Sequence, residues 1–252
     1  MNRIALITGA TSGIGRATAK ILSQNNFDVI ITGRRKELLE DLEKEIKLES
    51  SSKIYILNFD VRNKEEVDSA IDSLPKEWKN IDVLVNNAGL AVGLNHIQDG
   101  VIDDWERMID TNVKGLLYVS RKIVPIMVEK KHGHIVNIGS TAGKEAYENG
   151  NVYCGTKHAV DAITKGMRID MLKDKIKVTA INPGMVETEF SIVRFKGDKE
   201  KASKAYKGFT PLYGNDVADA ILYVVTRPEH VCINDMIITA TAQANSLYKI
   251  VE

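Results

Sequence analysis

The chain has 252 residues, 44% of them hydrophobic and 27% charged, which is typical of an ordinary globular protein. Its 34 Lys and Arg residues balance 34 Asp and Glu residues, so the net charge gives no support to nucleic acid as a partner. The two cysteines, Cys154 and Cys232, form neither a disulfide framework nor a close metal-ligand pair. No stretch approaches the roughly 20 apolar residues of a membrane span, and the first apolar run is too short for a signal peptide. We therefore expect a cytoplasmic protein without a metal site.

Short apolar runs alternate with longer amphipathic segments from one end of the chain to the other. Most of the runs are continuous, as expected for strands covered on both faces. Repeated strand–helix alternation predicts parallel βαβ units, and hence an α/β, doubly wound Rossmann fold of about seven parallel strands between helices. The predicted strands are 3–8, 28–32, 53–60, 81–89, 134–140, 176–184 and 235–240.

One segment interrupts this alternation. Residues 190–211, "FSIVRFKGDKEKASKAYKGFTP", are charged, carry no strand pattern and follow the C-terminal end of a predicted strand. Ligands of open parallel sheets bind at that end. The segment is therefore either a solvated connection or a lid over a substrate. No linker divides the chain, so we expect a single domain over 1–252.

The first strand and first helix are joined by the glycine-rich stretch "ITGATSGIG". Gly9 permits a tight exit from the strand, Gly13 lets the backbone approach a pyrophosphate, and Gly15 lets the helix pack closely on the sheet. The N–H groups and the positive dipole end of the helix would then face the phosphates. The spacing predicts a dinucleotide site.

The second predicted strand ends in "ITGRR", where an acidic residue would bind a ribose 2′-hydroxyl. The guanidinium groups of Arg34 and Arg35 suit a 2′-phosphate instead, which favours NADP over NAD. The alternative, a basic start to the next helix, is disfavoured by the helix dipole.

Two further strand ends carry residues that suit the same ligand. Asp60 and Val61 end the third strand, where an adenine ring could rest. "NNAG" at 86–89 ends the fourth strand, and its small residues allow a ribose to approach. Ordinary turn chemistry is the alternative for each.

Tyr153 and Lys157 lie four residues apart in "GNVYCGTKHAV", on one face of a predicted helix. A fixed cation beside a phenol favours the phenolate and lowers a pKa that is ordinarily near 10. The phenol then becomes a usable acid/base near neutral pH. Ser140, at the end of the fifth strand, is suited to hold a substrate oxygen against it. A surface Tyr and Lys paired by accident is the alternative.

Together, "TGATSGIG", "NNAG", "TNVKG", "IGSTAG", "YCGTK" and "NPGMVETEF" resemble the short-chain dehydrogenase/reductase family, in family order and over nearly the whole chain. The resemblance implies that Tyr153 is the catalytic acid/base and that Lys157 lowers its pKa and holds the nicotinamide ribose. It also implies that Ser140 positions the substrate and that Asn112 holds a water in a proton relay. The implied cofactor-binding residues are Gly9, Thr11, Ser12, Gly13, Ile14, Gly15, Arg34, Arg35, Asp60, Val61, Asn87, Ala88, Gly89, Tyr153, Lys157, Pro183, Gly184, Val186 and Thr188.

Several stretches, among them "FSIVRFKGD", look like the NADP-dependent 3-hydroxy acid dehydrogenases, which include serine and L-allo-threonine dehydrogenases. The resemblance implies a homotetramer that acts on the 3-hydroxyl of small carboxylic acids. Arg194 either pairs with the substrate carboxylate or points into solvent or an interface. The C-terminal "ATAQANSLYKIVE" either crosses to a partner subunit or is disordered.

Two other functions remain open at this point. One is another short-chain reductase, such as a 3-oxoacyl-carrier-protein reductase or a broad carbonyl reductase. The other is a regulator that binds NADPH without turnover. Retention of Tyr153, Lys157, Ser140 and Asn112 disfavours the regulator, since binding alone does not need them.

Overall fold

The apolar runs of the sequence form the strands of one parallel sheet. A computed structural model describes residues 2–251 of the chain, so the two ends of the predicted domain, Met1 and Glu252, lie outside it. The strands of the main sheet are β1 Arg3–Ile7, β2 Phe27–Gly33, β3 Ile54–Asn58, β4 Ile81–Asn86, β5 Gly133–Ile138, β6 Ile176–Pro183 and, after two short strands, β9 Asp235–Ile238. Their spatial order is β3-β2-β1-β4-β5-β6-β9, and every neighbouring pair is parallel. The predicted doubly wound sheet of about seven strands is confirmed.

Helices cover both faces of this sheet. They are α1 Gly13–Gln24, α2 Lys36–Glu49, α3 Lys64–Asp72, α4 Ile102–Ile109, α5 Leu116–Lys130, α6 Asn151–Asp170, α7 Glu189–Arg194, α8 Lys199–Lys204 and α9 Gly214–Val225. A π-helical turn, Asp110–Gly115, joins α4 to α5. No helix among residues 2–251 combines the length and apolar character that a bilayer crossing requires.

The apolar runs are continuous because each strand serves two cores. In β1, Ala5 and Ile7 belong to the core beneath α1, α2 and α9, whereas Ile4 and Leu6 belong to the core beneath α3 and α5. Side chains of a strand point alternately to its two faces, so a strand covered on both faces needs apolar residues throughout.

The strand order reverses between β1 and β4. From β1 the sheet runs to β2 and β3 on one side, and from β4 to β5 and β6 on the other. Connections leave in opposite directions at such a reversal and open a crevice at the carboxyl ends of the strands. The glycine-rich turn, the residues after β4 and the start of α6 therefore meet at one place.

Segment 190–211 contains helix and is not an irregular connection. Residues of α7 and α8 make up much of it, and it lies between the short strands β7 Val186–Glu187 and β8 Leu212–Tyr213, which pair in parallel. The side chain of Thr188 accepts a hydrogen bond from the N–H of Phe190 and begins α7, and that of Asp198 does the same for Lys201 and α8. These local caps explain why a segment without apolar periodicity is helical.

The C-terminal segment returns to its own chain. Gln243 and Lys249 form an antiparallel bridge, and the N–H of Ile250 donates to the carbonyl of Ala242 at 2.9 Å. The hairpin is tied to the loop after β5 by a hydrogen bond from the N–H of Ser246 to Glu145. These hydrogen bonds order residues 240–251 within their own chain, so the disordered tail is not what the structure shows.

Candidate active site

A cavity of about 770 Å³ opens at the carboxyl ends of the strands, where the strand order reverses. Arg194 and Ser140, the predicted substrate residues, both line it. Among the predicted cofactor residues, it is lined by Gly9, Thr11, Ser12, Gly13, Ile14, Arg34, Arg35, Asp60, Val61, Asn87, Ala88, Gly89, Tyr153, Lys157, Pro183, Gly184, Val186 and Thr188. Gly15 and Asn112 lie behind this surface.

The glycine-rich turn leaves no room for side chains. Gly9 has φ +68° and Gly13 has φ +52°, in the left-handed region that favours glycine. A Cβ on Gly13 would lie 3.0 Å from the side chain of Thr188, across the mouth of the cavity. A Cβ on Gly15 would lie 2.4 Å from the carbonyl oxygen of Gly9, so Gly15 lets α1 pack against the turn. The three glycines thus occupy positions that suit the three predicted functions.

Two arginines stand at the far end of the cavity, just after β2. The guanidinium of Arg34 lies 3.6 Å from the carboxylate of Asp60, and its side chain is more than half exposed. Arg35 donates hydrogen bonds to the hydroxyl of Thr11 at 3.0 Å and to the carboxylate of Glu189 at 2.9 Å. Arg34 is therefore available to a ligand, while Arg35 joins the glycine-rich turn to the start of α7.

Asp60 is engaged by a residue that the sequence reasoning missed. Arg62 donates from Nε and Nη2 to the two carboxylate oxygens at 2.7 to 3.2 Å. Burial acts to raise the pKa of Asp60, but the hydrogen bonds from Arg62 and the charges of Arg34 and Arg62 together hold the pKa below its ordinary value. An adenine amine would have to share this carboxylate with Arg62.

Tyr153 and Lys157 lie in the first two turns of α6, and both are buried at the floor of the cavity. The Nζ atom of Lys157 lies 6.0 Å from the centroid of the Tyr153 ring and donates to the carbonyl of Ile138 at 2.9 Å. Burial lowers the pKa of Lys157 to about 8, so the ammonium is still the main form at neutral pH.

The phenol is influenced most by its burial. Burial raises the pKa of Tyr153 above its ordinary value, and the nearby phenol of Tyr147 acts in the same direction. The charge of Arg194 and a hydrogen bond with Ser140 act to lower it. The prediction that Lys157 lowers this pKa is not met by the protein's own groups, because burial raises the pKa of Tyr153 by more than Arg194 and Ser140 lower it.

Ser140 follows β5 and is held by its backbone and its side chain. Its N–H donates to Oδ1 of Asn182 at 3.2 Å, and its hydroxyl accepts from the N–H of Ala142 at 3.1 Å. The Ser140 hydroxyl also lies close enough to the Tyr153 hydroxyl to act on its pKa. Two hydroxyl groups thus face the same point of the cavity, which suits a substrate oxygen.

Asn112 lies in the π-helical turn, and its side chain is occupied by the protein. Oδ1 accepts from the N–H of Leu90 at 2.8 Å, while Nδ2 donates to the carbonyl of Leu90 at 2.8 Å and to Thr156 at 3.0 Å. These bonds join the turn to the loop after β4 and to α6. The side chain therefore has a structural function here. A water in a proton relay would have to form its hydrogen bond with the backbone of Asn112.

Arg194, the last residue of α7, lies inside the cavity among aromatic rings. Its guanidinium carbon is 5.2 Å from the ring centroid of Tyr153, 5.4 Å from that of Tyr147 and 5.9 Å from that of Phe190. Its Nη2 donates to the hydroxyl of Tyr147. Its Nε is buried and has no hydrogen-bond partner within residues 2–251. The group is a partly desolvated cation with a donor to spare, beside the candidate acid/base.

Several cavity residues had no signal in the sequence. Tyr147 lies in a loop outside every motif, and Gln243 comes from the C-terminal hairpin. The buried Gln243 accepts from the N–H of Met185 at 2.8 Å, and a Cβ on Gly184 would lie 2.2 Å from its Oε1. Such residues join the cavity through long-range packing, which residue spacing does not record.

Comparison with known proteins gives consistent results. A family model described as short chain dehydrogenase matches residues 3–199. The NADP-dependent 3-hydroxy acid dehydrogenase YdfG of Escherichia coli O6:H1 is 48% identical over 234 residues, which cover 92% of this chain and 93% of that protein. Sulfoacetaldehyde reductase 2 of Chromohalobacter salexigens is 41% identical over 251 residues, 99% of each. The closed form of serine dehydrogenase complexed with NADP+ superposes with a TM-score of 0.93 and 45% identity, covering 99% of both chains.

Proposed function

This chain belongs to the short-chain dehydrogenase family, and from that premise we propose that it is an NADP-dependent oxidoreductase acting on small 3-hydroxy acids. It transfers a hydride between the carbon that bears the 3-hydroxyl and the nicotinamide. Substrates of the serine, allo-threonine and 3-hydroxypropionate type carry both the carboxylate that Arg194 would bind and the hydroxyl that Tyr153 would deprotonate. The relatives named as NADP-dependent 3-hydroxy acid dehydrogenase and serine dehydrogenase support the same reaction.

One observation carries the choice of substrate. The guanidinium of Arg194 lies 5.2 Å from the ring of Tyr153, inside the cavity. A small acid that pairs with this guanidinium places its hydroxyl a few ångströms away, toward the hydroxyl groups of Tyr153 and Ser140. A guanidinium fork matches a carboxylate in geometry as well as in charge.

The residues of the cavity fit NADP. The glycine cradle at Gly9 and Gly13 admits backbone contact with a pyrophosphate, and the N-terminus of α1 faces it. Arg34 stands where a 2′-phosphate needs a cation. Asp60 and Val61 would border the adenine, and Lys157 would hold the nicotinamide ribose. When bound, NADP supplies the hydride acceptor and a further positive charge near the phenol.

The chain's own residues move the proton. In the oxidation direction Tyr153 acts as the phenolate, a form that Arg194 favours and that the positive charge of bound NADP would favour further. The phenolate takes the proton of the substrate hydroxyl, while Ser140 holds the same oxygen and Arg194 holds the acid group. The substrate loses one proton to Tyr153 and one hydride to the cofactor, so the atoms balance. Lys157 contributes a positive charge near the phenol, and segment 190–211 shields the site from water as a substrate lid.

A second candidate function shares this site. Sulfoacetaldehyde reductase 2 matches the chain over 99% of its length. A guanidinium also pairs well with the oxygens of a sulfonate group. Reduction of a short sulfonated aldehyde would use the same Tyr153, Ser140 and Arg194. The substrate assay therefore includes a sulfonate.

The assay follows absorbance at 340 nm with NADP and NAD side by side. Substrates are L-serine, 3-hydroxypropionate, 2-hydroxyethanesulfonate and, with NADPH, a bulky ketone and a 3-oxoacyl thioester. Turnover of the hydroxy acids with NADP supports the proposal. A preference for the sulfonate selects the second candidate, activity only on the ketone or thioester selects another short-chain reductase, and binding without turnover selects a regulator.

We also propose a cytoplasmic homotetramer. Large apolar side chains on α4, α5 and α6 are exposed, among them Ile102 at 61%, Ile169 at 75% and, just after α6, Leu172 at 74%. A surface of this kind favours burial against another subunit. Light scattering with size-exclusion chromatography tests it, and a monomer at micromolar concentration would refute it.

A further inference from the structure

The end of α7 is attached to α4 by an ion pair that lies outside the cavity. Oδ2 of Asp104 in α4 is 2.7 Å from Nζ of Lys196, which follows Arg194 by two residues. The Asp104 side chain is 6% exposed and that of Lys196 is 51% exposed. A buried carboxylate is costly without a partner, so Lys196 favours this position of α7 relative to α4.

A second contact holds the same backbone. The N–H of Gly93, in the loop after β4, donates to the carbonyl of Arg194 at 3.0 Å. Gly93 has φ +73°, and a Cβ there would lie 2.9 Å from Oδ2 of Asp104. The glycine therefore brings the loop, the carboxylate and the end of α7 together at one point.

These contacts act at the carbonyl of Arg194 and two residues after it. Its carbonyl is held by Gly93, and Lys196, with φ +54°, is held by Asp104. The guanidinium extends in the other direction, to the rings of Tyr147 and Tyr153. A long, flexible side chain serves as a selective anion receptor only if its backbone is fixed in place.

We propose that the Asp104–Lys196 ion pair is a positioning element that fixes Arg194 for the acid group of the substrate. Asp104 and Lys196 are positioning residues, since neither borders the cavity, and the assignment rests on the proposed function of Arg194. Removing either partner loosens the position of the Arg194 guanidinium and leaves Tyr153, Ser140 and the dinucleotide groove in place.

The test uses full-length variants with a matched control. Asp104→Asn and Lys196→Gln each remove one charge, and their double variant completes a cycle. The control is Glu200→Gln, because Glu200 and Lys204 also form a 2.7 Å ion pair in the same segment but within α8 alone. The measurements are KM and kcat with 3-hydroxypropionate, KM with 1,3-propanediol, which has no acid group, and KM for NADP. The inhibition constant of propionate, which has no hydroxyl to oxidise, reports anion binding without turnover.

We expect KM for 3-hydroxypropionate and the inhibition constant of propionate to rise about three- to tenfold in each single variant. The double variant should lose no more than the worse single variant, because both changes break one contact. The kcat value, the KM for NADP and the KM for 1,3-propanediol should stay within about twofold of wild type, and Glu200→Gln should match wild type throughout.

Two results would overturn the proposal while leaving the proposed function intact. One is an unchanged KM and inhibition constant in both single variants; the other is an equal loss for acid, diol and NADP, which indicates general damage to the fold. If Asp104→Asn does not fold, Lys196→Gln, at the exposed end of the pair, decides alone. A wild-type enzyme that neither oxidises hydroxy acids nor binds propionate would overturn both proposals.

Discussion

Burial and several polar neighbours act on the hydroxyl proton of Tyr153. Burial favours the neutral phenol, whereas Arg194 and Ser140 favour the phenolate. Arg194 is half-buried above the ring and also faces the space where an acid would bind. The same guanidinium therefore affects both the binding of the substrate and the proton that leaves it.

Replacing Tyr153 with Phe should lower kcat by about 10²- to 10⁴-fold, the usual contribution of general acid/base help. NADPH affinity should stay within about threefold, because the ring itself remains in place beside Phe190. Steady-state rates and NADPH fluorescence titration measure the two quantities. Loss of cofactor affinity as large as the loss of rate would contradict the assignment.

Replacing Arg194 with Ala should raise KM for L-serine and 3-hydroxypropionate by about 30-fold or more, since a buried charged hydrogen bond is worth at least about 2 kcal/mol. Arg227→Ala is a matched control, because Arg227 also stacks on a tyrosine, Tyr223, at 4.2 Å but lies outside the cavity. An unchanged KM in Arg194→Ala would remove Arg194 from the substrate site.

At the scale of elements, α1 depends on the space left by Gly15. A Cβ there would meet the Gly9 carbonyl at 2.4 Å, whereas a Cβ on Gly166 in α6 meets nothing within 4 Å. Gly15→Ala should lower the thermal midpoint and weaken NADPH binding. Gly166→Ala should raise the midpoint, since alanine in a helix is favoured over glycine by about 1 kcal/mol. Differential scanning fluorimetry compares the two, and equal shifts would refute the packing argument.

The pairing of β5 with β6 buries a histidine in its neutral form. His134 Nε2 lies 2.7 Å from the hydroxyl of Thr179, whose own proton goes to the carbonyl of Ile233, so Nε2 is the donor. Burial, together with the charges of Lys177 and Arg3, lowers the pKa of His134 from 6.5 to about 3. Because the unfolded chain binds this proton below about pH 6.5 and the folded chain does not, stability falls as pH drops from 6.5 toward 3.

The expected slope from His134 is about 1 kcal/mol of unfolding free energy per pH unit within that window. His134→Gln, which can keep the donor to Thr179, should remove this part of the slope. The exposed His230→Gln should leave it unchanged. Urea unfolding between pH 4 and pH 7 measures the slopes, and identical slopes for wild type and His134→Gln would contradict a neutral buried histidine.

At the scale of the whole molecule, the sheet could be predicted because local rules and global packing agree. Each run such as "IALI" in β1 is apolar since both faces are covered, and Gly9, Gly13 and Gly15 mark the tight turn that leads into α1. Local signals of this kind do not depend on the rest of the chain.

The rest of the site arises from contacts between distant parts of the chain. Tyr147, Gln243 and Arg62 reach the cavity or its groups from loops and a terminal hairpin. The pKa of Tyr153 also could not be inferred from its spacing to Lys157, because burial depends on everything packed around it. Residue spacing shows which side chains share one face of a helix. The loss of solvent around a side chain depends on everything that packs against it in the folded chain.

The most direct test of the whole account compares 3-hydroxypropionate with its amide, 3-hydroxypropionamide, in the NADP-dependent reaction. The two differ in the charge that Arg194 is proposed to bind, and they share the hydroxyl that Tyr153 is proposed to deprotonate. We expect kcat/KM for the acid to exceed that for the amide by about 100-fold, the value of one desolvated charge pair. Equal values, or a preference for the amide, would contradict an active site built around a small anionic 3-hydroxy acid.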